Sequence, residues 1–185
     1  MRLSSLRRPL RALRRRLAVL AGCALVALVG HTALDRAALF ADTTVSVGAE
    51  IRGMATASDG DSLRLGDTRV RLLGIDAPEL DQTCRWDGQE VPCGEMSRDV
   101  LSDLMEGEPV SCLVVDIDRY GRAVAECLGA AGSLNAAMAL EGWALAMPRY
   151  SQRFVAPAAE AQAAGVGLWG MAFHDPSDWR RGARW

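Results

Sequence analysis

Residues 59–79 read DGDSLRLGDTRVRLLGIDAPE. Leu63 and Leu65 alternate with polar neighbours, Gly66-Asp67 supplies a turn, and apolar residues then continue from Val70. An apolar residue at every second position is typical of a half-buried β-strand, and tight turns join such strands into a meander. The segment therefore predicts short strands that curl into a small barrel.

The chain downstream changes its period and predicts helices. Met96, Val100, Leu101 and Leu104 lie at helical spacing, and Gly107 ends that run. Strands around one helix with further helices after them predict an α+β domain built on a five-stranded barrel. The aromatic tail that includes Trp179 is expected to dock on this body. The helices and hairpin strands predicted downstream are residues 94–105, 109–116, 121–128, 133–140 and 157–165.

The N-terminus carries a separate signal. Seven arginines precede residue 17, and an apolar run of about eighteen residues extends from Leu17 to Leu34. A bilayer-spanning helix needs about 17–25 residues, and flanking arginines stay in the cytoplasm. We expect a basic cytoplasmic segment (1–16), a transmembrane anchor (17–34), a linker (35–47) and an exported domain (48–185).

Two other fates of residues 17–34 stay open. A cleaved signal peptide would release a periplasmic or secreted domain, although Leu39-Phe40-Ala41 is a poor cleavage site. Leu20-Ala21-Gly22-Cys23 matches a lipoprotein signal in which Cys23 would be acylated. The uncleaved inner-membrane anchor is favoured, and all three alternatives place the domain outside the cytoplasm.

Charge is unevenly distributed along the chain. The whole protein has a formal net charge of −2, but eight of its 21 basic residues and one of its 23 acidic residues lie before residue 37. The remainder therefore carries a net charge of −9 and no lysine. Such a domain gains little from counterion release, which counts against tight, non-specific polynucleotide binding. Local arginines and a metal ion could still bind a phosphate.

Four cysteines lie in the exported part, and an even number in an oxidising compartment predicts disulfides. Zinc is disfavoured because no pair has C-x-x-C spacing and the protein has only two histidines. Four cysteines permit three pairings, of which the nearest-neighbour one is favoured because a hairpin turning near Tyr120 would face Cys112 with Cys127. The predicted bridges are Cys84–Cys93 and Cys112–Cys127.

Three short motifs carry the chemistry. They are DGDS at residues 59–62, RLLGIDAPE at residues 71–79 and DRYGR at residues 118–122. Singly, they could be a hairpin turn, a turn cap and a solvated edge charge. Arg71 is harder to dismiss, because a guanidinium within an apolar strand is costly unless it reaches solvent or an anion. Together they offer a base, cationic donors and carboxylates for a hard metal ion, which is what phosphodiester hydrolysis needs.

In order, spacing and neighbouring residues, these motifs closely resemble the active site of the thermonuclease (staphylococcal nuclease-like) family, over about residues 50–169. The resemblance implies a five-stranded oligonucleotide/oligosaccharide-binding (OB) barrel with three helices. It also implies that Ca²⁺ is held by Asp61, Asp76 and the backbone carbonyl of Ala77, where many relatives have Thr. The implied catalytic residues are Arg71 and Arg122, which would hold the phosphate, and Glu79, which would activate water.

The predicted function is therefore a calcium-dependent endonuclease that acts on DNA and RNA and, by resemblance, leaves 3′-phosphate ends. Its expected partners are nucleic acid and, through the N-terminal segment, the membrane; we expect a monomer. Tyr120 could stack on a base or pack on the barrel rim. The alternative is a non-catalytic OB module that binds single strands or a protein partner, which the lack of a basic stripe disfavours.

Overall fold

The computed structural model describes residues 45–185. The predicted cytoplasmic segment (1–16), the membrane segment (17–34) and nearly all of the linker (35–47) lie outside the described residues. Among residues 45–185 there is no helix with the length and apolar character needed to cross a membrane.

The described part contains eleven strands, four α-helices and one 3₁₀-helix. The strands are β1 Glu50–Gly53, β2 Ala55–Ala57, β3 Ser62–Leu65, β4 Thr68–Leu72, β5 Ile75–Asp76, β6 Cys84–Trp86, β7 Gln89–Val91, β8 Val110–Ile117, β9 Ala123–Gly129, β10 Gly132–Ser133 and β11 Leu145–Ala146. The helices are α1 Cys93–Leu104, α2 Leu134–Leu140, α3 Val155–Ala164 and α4 Pro176–Arg180, with the 3₁₀-helix at Gly167–Gly170.

The main sheet curls into a nearly closed barrel. Its strand order is β1-β8-β9-β4-β3-β2, with β10 paired to β9. β1 pairs with β8 at one edge of the sheet, and β2 pairs with β3 at the other edge. Because only Met54 separates β1 from β2, the two strands form one bent segment that lies on both edges. Counting that segment once gives the five principal strands that were predicted, and the OB barrel is confirmed.

Successive side chains of β4 point alternately into the barrel core and to the outer face that carries the candidate site. Val70 and Leu72 are almost fully buried in the barrel core, whereas Arg69 and Arg71 point to the outer face. In the core, the side-chain oxygen of Asn135 accepts a hydrogen bond from the N–H of Cys127, and its amide nitrogen donates to the carbonyl of Leu73. This fully buried amide ties α2 to β9 and to the end of β4.

The parallel pairing of β4 with β9 brings distant parts of the sequence together. Val70 is the partner of Ala123, and Arg71 is the partner of Val124. Arg122 directly precedes β9 and is two residues from Val124, so the period of two places it on the same outer face as Arg71. The barrel topology therefore brings both predicted catalytic arginines to one face.

The helix count differs from the prediction of three. A fourth helix, α4, forms in the tail, where the carboxylate of Asp175 caps the N–H of Ser177 and Pro176 occupies the first turn. This helix is only five residues long, and such a helix carries too little periodicity to be recognised in the sequence. The first helical residue of α3 is Val155, two residues ahead of the predicted start.

Both predicted disulfides are confirmed. Cys112 and Cys127 are direct partners in the β8–β9 register, with 4.1 Å between their Cα atoms. Cys84 and Cys93 have Cα atoms 5.6 Å apart, and the segment between them forms a small β6–β7 hairpin that was not predicted. This second disulfide joins the hairpin to the first residue of α1.

Candidate active site

Asp61 lies in a tight turn between β2 and β3. Its backbone N–H donates to the carboxylate of Asp59 at 3.0 Å, and its carbonyl accepts from the N–H of Leu72 at 2.8 Å. Gly60 is required here because an added Cβ would lie 1.9 Å from Oγ of Ser97 and 2.7 Å from Cβ of Ala77. The missing side chain lets the turn that carries Asp61 pack directly against the loop that follows β5.

Two buried carboxylates meet on one arginine nitrogen. Nη2 of Arg71 lies 3.0 Å from Oδ2 of Asp61 and 2.7 Å from Oδ1 of Asp76. The two aspartate side chains are 5% and 3% exposed, whereas the Arg71 side chain is 26% exposed. The guanidinium of Arg71 therefore pairs with two buried carboxylates while part of its side chain stays in solvent. These contacts explain how an arginine is tolerated in an otherwise apolar strand.

Burial sets the ionisation of this cluster. Burial raises the pKa of Asp61 from 3.8 to about 7, the charges of Asp59 and Asp76 add to that rise, and Arg71 and the N–H of Ala77 only partly oppose it. Burial by itself would lower the pKa of Arg71, but Asp61 and Asp76 outweigh it and hold that pKa above its ordinary value. Arg71 therefore does not offset the burial of the Asp61 carboxylate.

The loop from Ala77 to Glu79 completes the predicted set. The N–H of Ala77 donates to Oδ2 of Asp61 at 3.0 Å, and the N–H of Glu79 donates to Oε1 of the fully buried Gln82 at 3.2 Å. Gly94 in α1 packs so closely that an added Cβ would lie 1.9 Å from the carbonyl oxygen of Glu79. The backbone of Glu79 is thus held from both sides, while its side chain reaches the surface.

Arg122 is held by the hairpin tip from which it comes. Its Nε donates to Oδ2 of Asp118 at 2.7 Å, and its backbone N–H donates to Oδ1 at 2.9 Å. The side-chain hydrogen bond to Asp118 uses Nε of Arg122 and involves neither of its Nη nitrogens. Tyr120 is 58% exposed, and Cζ of Arg119 and Arg122 lie 4.8 and 5.7 Å from its ring centre.

The structure adds one cation that the sequence interpretation missed. Arg180, from α4, places Nη2 2.7 Å from Oδ2 of Asp76 and Nη1 2.5 Å from Oε1 of Glu79. Its Nη1 also lies 3.2 Å from Oδ1 of Asp76. More than 100 residues after the proposed ligand, the C-terminal helix therefore contributes directly to the site.

The tail that presents Arg180 is well anchored. The indole N–H of Trp179 donates to Asp81 at 3.2 Å, and Trp179 itself is 5% exposed. The side-chain amide of Gln82, whose oxygen already accepts from Glu79, donates to the carbonyl of His174 at 2.7 Å. The sequence did contain one signal for the position of Arg180. The aromatic tail was expected to dock on the domain, and docking through Trp179 places the neighbouring arginine against the domain surface.

A metal ion fits this cluster by donor chemistry. Calcium prefers oxygen ligands and completes its shell with carbonyls and water. Among residues 45–185, no three His, Cys, Asp or Glu side chains form a metal site by themselves. The buried carboxylates of Asp61 and Asp76 instead provide two hard oxygen donors that meet on one nitrogen of Arg71, and the Ala77 backbone adjoins them.

Comparison with known proteins agrees with this geometry. The family described as staphylococcal nuclease homologues matches residues 69–171. An Oryza sativa subsp. japonica protein named probable staphylococcal-like nuclease CAN3 is 35% identical over 63% of this chain and 29% of its own length. A Haemophilus influenzae protein named uncharacterized endonuclease is 34% identical over 67% of this chain and 69% of its own. The succinoglycan biosynthesis protein ExoI of Rhizobium meliloti is 32% identical over 64% of each chain.

The fold is an OB barrel with arginines and buried carboxylates at one edge. The chain belongs to the family of staphylococcal nuclease homologues, because the family match covers more than half of it. It spans 29% of the rice nuclease CAN3 and 64% of ExoI. The family match includes Arg71, Asp76, Glu79 and Arg122, while Arg180 lies beyond its end.

Proposed function

We propose that this protein is a calcium-dependent endonuclease that hydrolyses phosphodiester bonds of DNA and RNA and leaves 3′-phosphate ends. The observation that carries the proposal is the pair of buried carboxylates, Asp61 and Asp76, on one nitrogen of Arg71 with Glu79 on the adjoining loop. Membership of a family of nuclease homologues supports the same reaction class.

In this proposal each residue of the site has a distinct task. Asp61, Asp76 and the carbonyl of Ala77 would hold calcium, which supplies a hard positive charge beside the phosphate. Glu79 would accept a proton from the attacking water. Arg71 and Arg122 would donate to the phosphoryl oxygens as their charge grows, through the planar fork that only arginine provides.

The outer face of the barrel offers positive charge that the net charge conceals. Arg64 on β3 and Arg69 on β4 are direct partners, and Ser62 is the partner of Arg71. Nη2 of Arg69 donates to the carbonyl of Tyr120 at 2.7 Å, beside the hairpin that carries Arg122. A phosphate chain that leaves the site over β3 and β4 would therefore meet arginines, which supports nucleic acid as the substrate.

We also propose that the domain works outside the cytoplasm as a monomer. The two disulfides support an oxidising compartment. The arginine-rich segment 1–16 and the apolar run 17–34 support export, with an uncleaved inner-membrane anchor as the favoured form. Membrane fractionation with protease protection tests this location, and a cytoplasmic domain with four free thiols would refute it.

The decisive experiment is a cleavage assay of the full-length chain on plasmid DNA and on RNA, with calcium and with chelator. Calcium-dependent cutting is expected, with product 5′ ends that a kinase labels without prior phosphatase treatment. Arg71→Lys should cut on the order of 10²–10³ more slowly, because the lysine cannot form the fork. Glu79→Gln should lose about 10²–10⁴ in rate.

Arg98→Lys is the matched control, since Arg98 pairs with Asp99 on α1. Full activity of Arg71→Lys would remove the assigned role of Arg71. Binding of single strands without any cutting, by the parent and by both variants, would instead establish the non-catalytic OB module.

A further inference from the structure

The contacts of Arg180 place it on the atoms that a metal would use. Both carboxylate oxygens of Asp76 accept from its guanidinium, Oδ1 at 3.2 Å and Oδ2 at 2.7 Å. Oδ1 accepts from Arg71 as well, at 2.7 Å. Three arginine hydrogen bonds thus occupy the carboxylate of Asp76, so a divalent ion at either oxygen would lie directly beside a guanidinium charge that repels it.

The charges explain why Arg180 takes this position. Asp61 and Asp76 share Arg71, Asp76 and Glu79 share Arg180, and the described residues place no other guanidinium in an ion pair with these three carboxylates. Hydrogen bonding to Asp76, opposed by burial and assisted by Glu79, raises the pKa of Arg180 above its ordinary value. Arg180 thus supplies a permanent second positive charge to an otherwise under-neutralised cluster.

The guanidinium can leave without unfolding the tail. The side chain of Arg180 is 39% exposed, whereas that of Asp76 is 3% exposed. The anchors of the tail are Trp179 and the backbone of His174, which contact Asp81 and Gln82 and do not involve Arg180. A rotamer change of one long side chain would open Asp76 while α4 stays in place.

We propose that Arg180 is a positioning residue that holds Asp76 and Glu79 while no metal is bound, and that its guanidinium competes with a divalent cation for Asp76. This inference rests on the proposed metal-dependent function. A divalent ion that uses the Asp76 carboxylate must displace Arg180 or bind against its positive charge, so the resident arginine weakens metal affinity. The same pairing keeps a buried carboxylate satisfied in the metal-free protein.

The test is calorimetric titration of calcium chloride alone into the full-length protein and into Arg180→Gln, without substrate. Removing the competitor should tighten calcium binding by roughly three- to tenfold, the range expected for losing one or two partly exposed ion pairs. Arg180→Gln should also unfold at a lower urea concentration in chelator, because Asp76 then loses a partner. Arg181→Gln is the matched control at the residue directly after α4, since the Arg181 side chain is 69% exposed and pairs with Asp178.

The outcomes separate this inference from the proposed function. Calcium binding by the parent that is unchanged or weaker in Arg180→Gln would overturn the competition. No calcium binding by either protein would overturn the calcium assignment and this inference with it. If the glutamine variant fails to fold, Arg180→Lys replaces it, because lysine keeps the charge but loses the fork. Tighter calcium binding by the lysine variant supports the competition, and unchanged or weaker binding overturns it.

Discussion

Asp61→Asn should make the metal-free protein more stable while removing the proposed metal-dependent activity. Burial raises the pKa of Asp61 from 3.8 to about 7, so the folded state holds this proton more tightly than the unfolded state. Below about pH 4 the carboxyl costs nothing because both states are protonated, the cost grows as the pH rises toward about 7, and it is complete above that.

The size of the effect comes from two opposing contributions. Each pKa unit corresponds to about 1.4 kcal/mol, so relieving the buried charge is worth at most about 4 kcal/mol at pH 8. Asparagine has one acceptor oxygen where Asp61 uses both, accepting from Ser62 Oγ and from the N–H of Ala77, and losing one such bond costs about 1–2 kcal/mol. The difference is a net gain in stability on the order of 2 kcal/mol. Arg71 adds no further cost in the variant, because it still pairs with Asp76.

Urea denaturation in chelator at pH 8 and at pH 4 measures this gain. The gain should be present at pH 8 and vanish at pH 4, and Asp67→Asn on the exposed β3–β4 turn should show neither effect. Adding calcium should stabilise the parent more than Asp61→Asn. A variant that is less stable than the parent at pH 8 in chelator would refute the argument that this carboxylate is buried at a net cost.

Three further perturbations test the structural account. Gly60→Ala should lower the free energy of unfolding by about 1–3 kcal/mol, because the added Cβ would lie 1.9 Å from the side chain of Ser97 in α1. Gly53→Ala is the control, since its Cβ would make an ordinary contact at 3.7 Å and should be tolerated. Equal losses of stability in the two variants would contradict the predicted clash. Burial by itself would raise the pKa of Asp118, but hydrogen bonds from Arg122 and from the N–H of Tyr120 outweigh it and hold that pKa below its ordinary value. Asp118→Asn should therefore lose stability at pH 6, and the loss should shrink as the pH falls through the lowered pKa; a loss that does not change with pH would exclude this origin. Replacing Cys112 and Cys127 together by Ala should cost about 3 kcal/mol in urea denaturation, as expected for a loop of 15 residues, and an unchanged midpoint would show that the bridge adds nothing.

The barrel was predictable because its signals are local and repeated. Alternation at Leu63, Leu65 and Val70 predicts strands, and turn residues mark their ends. The partner of each cysteine followed from the hairpin geometry of residues 110–128. The family membership followed from three motifs whose order and spacing are hard to meet by chance.

What the sequence did not predict depends on contacts between distant segments. Arg180 reaches the site from the docked tail, Gln82 links that tail to the backbone of Glu79, and neither residue belongs to one of the motifs. The helix that carries Arg180 has five residues, too few for a period to be recognised. The roles of Arg71, Glu79, Arg122 and the proposed metal ligands remain predictions, although the structure places most of them at one edge of the barrel.

The parallel pairing of β4 with β9 has a consequence for how the protein acquires activity. Arg71 and Arg122 come together only when strands separated by a helix and a long hairpin have paired, and α4 is added from residues still further along the chain. Contacts of such sequence separation form late, because loop-closure entropy opposes them until the rest of the barrel is in place. A growing chain would therefore carry the carboxylates of Asp61 and Asp76 before the proposed phosphate site is complete. Any cleavage activity would appear only with the final, cooperative step of folding, so its onset during refolding should coincide with burial of the barrel core.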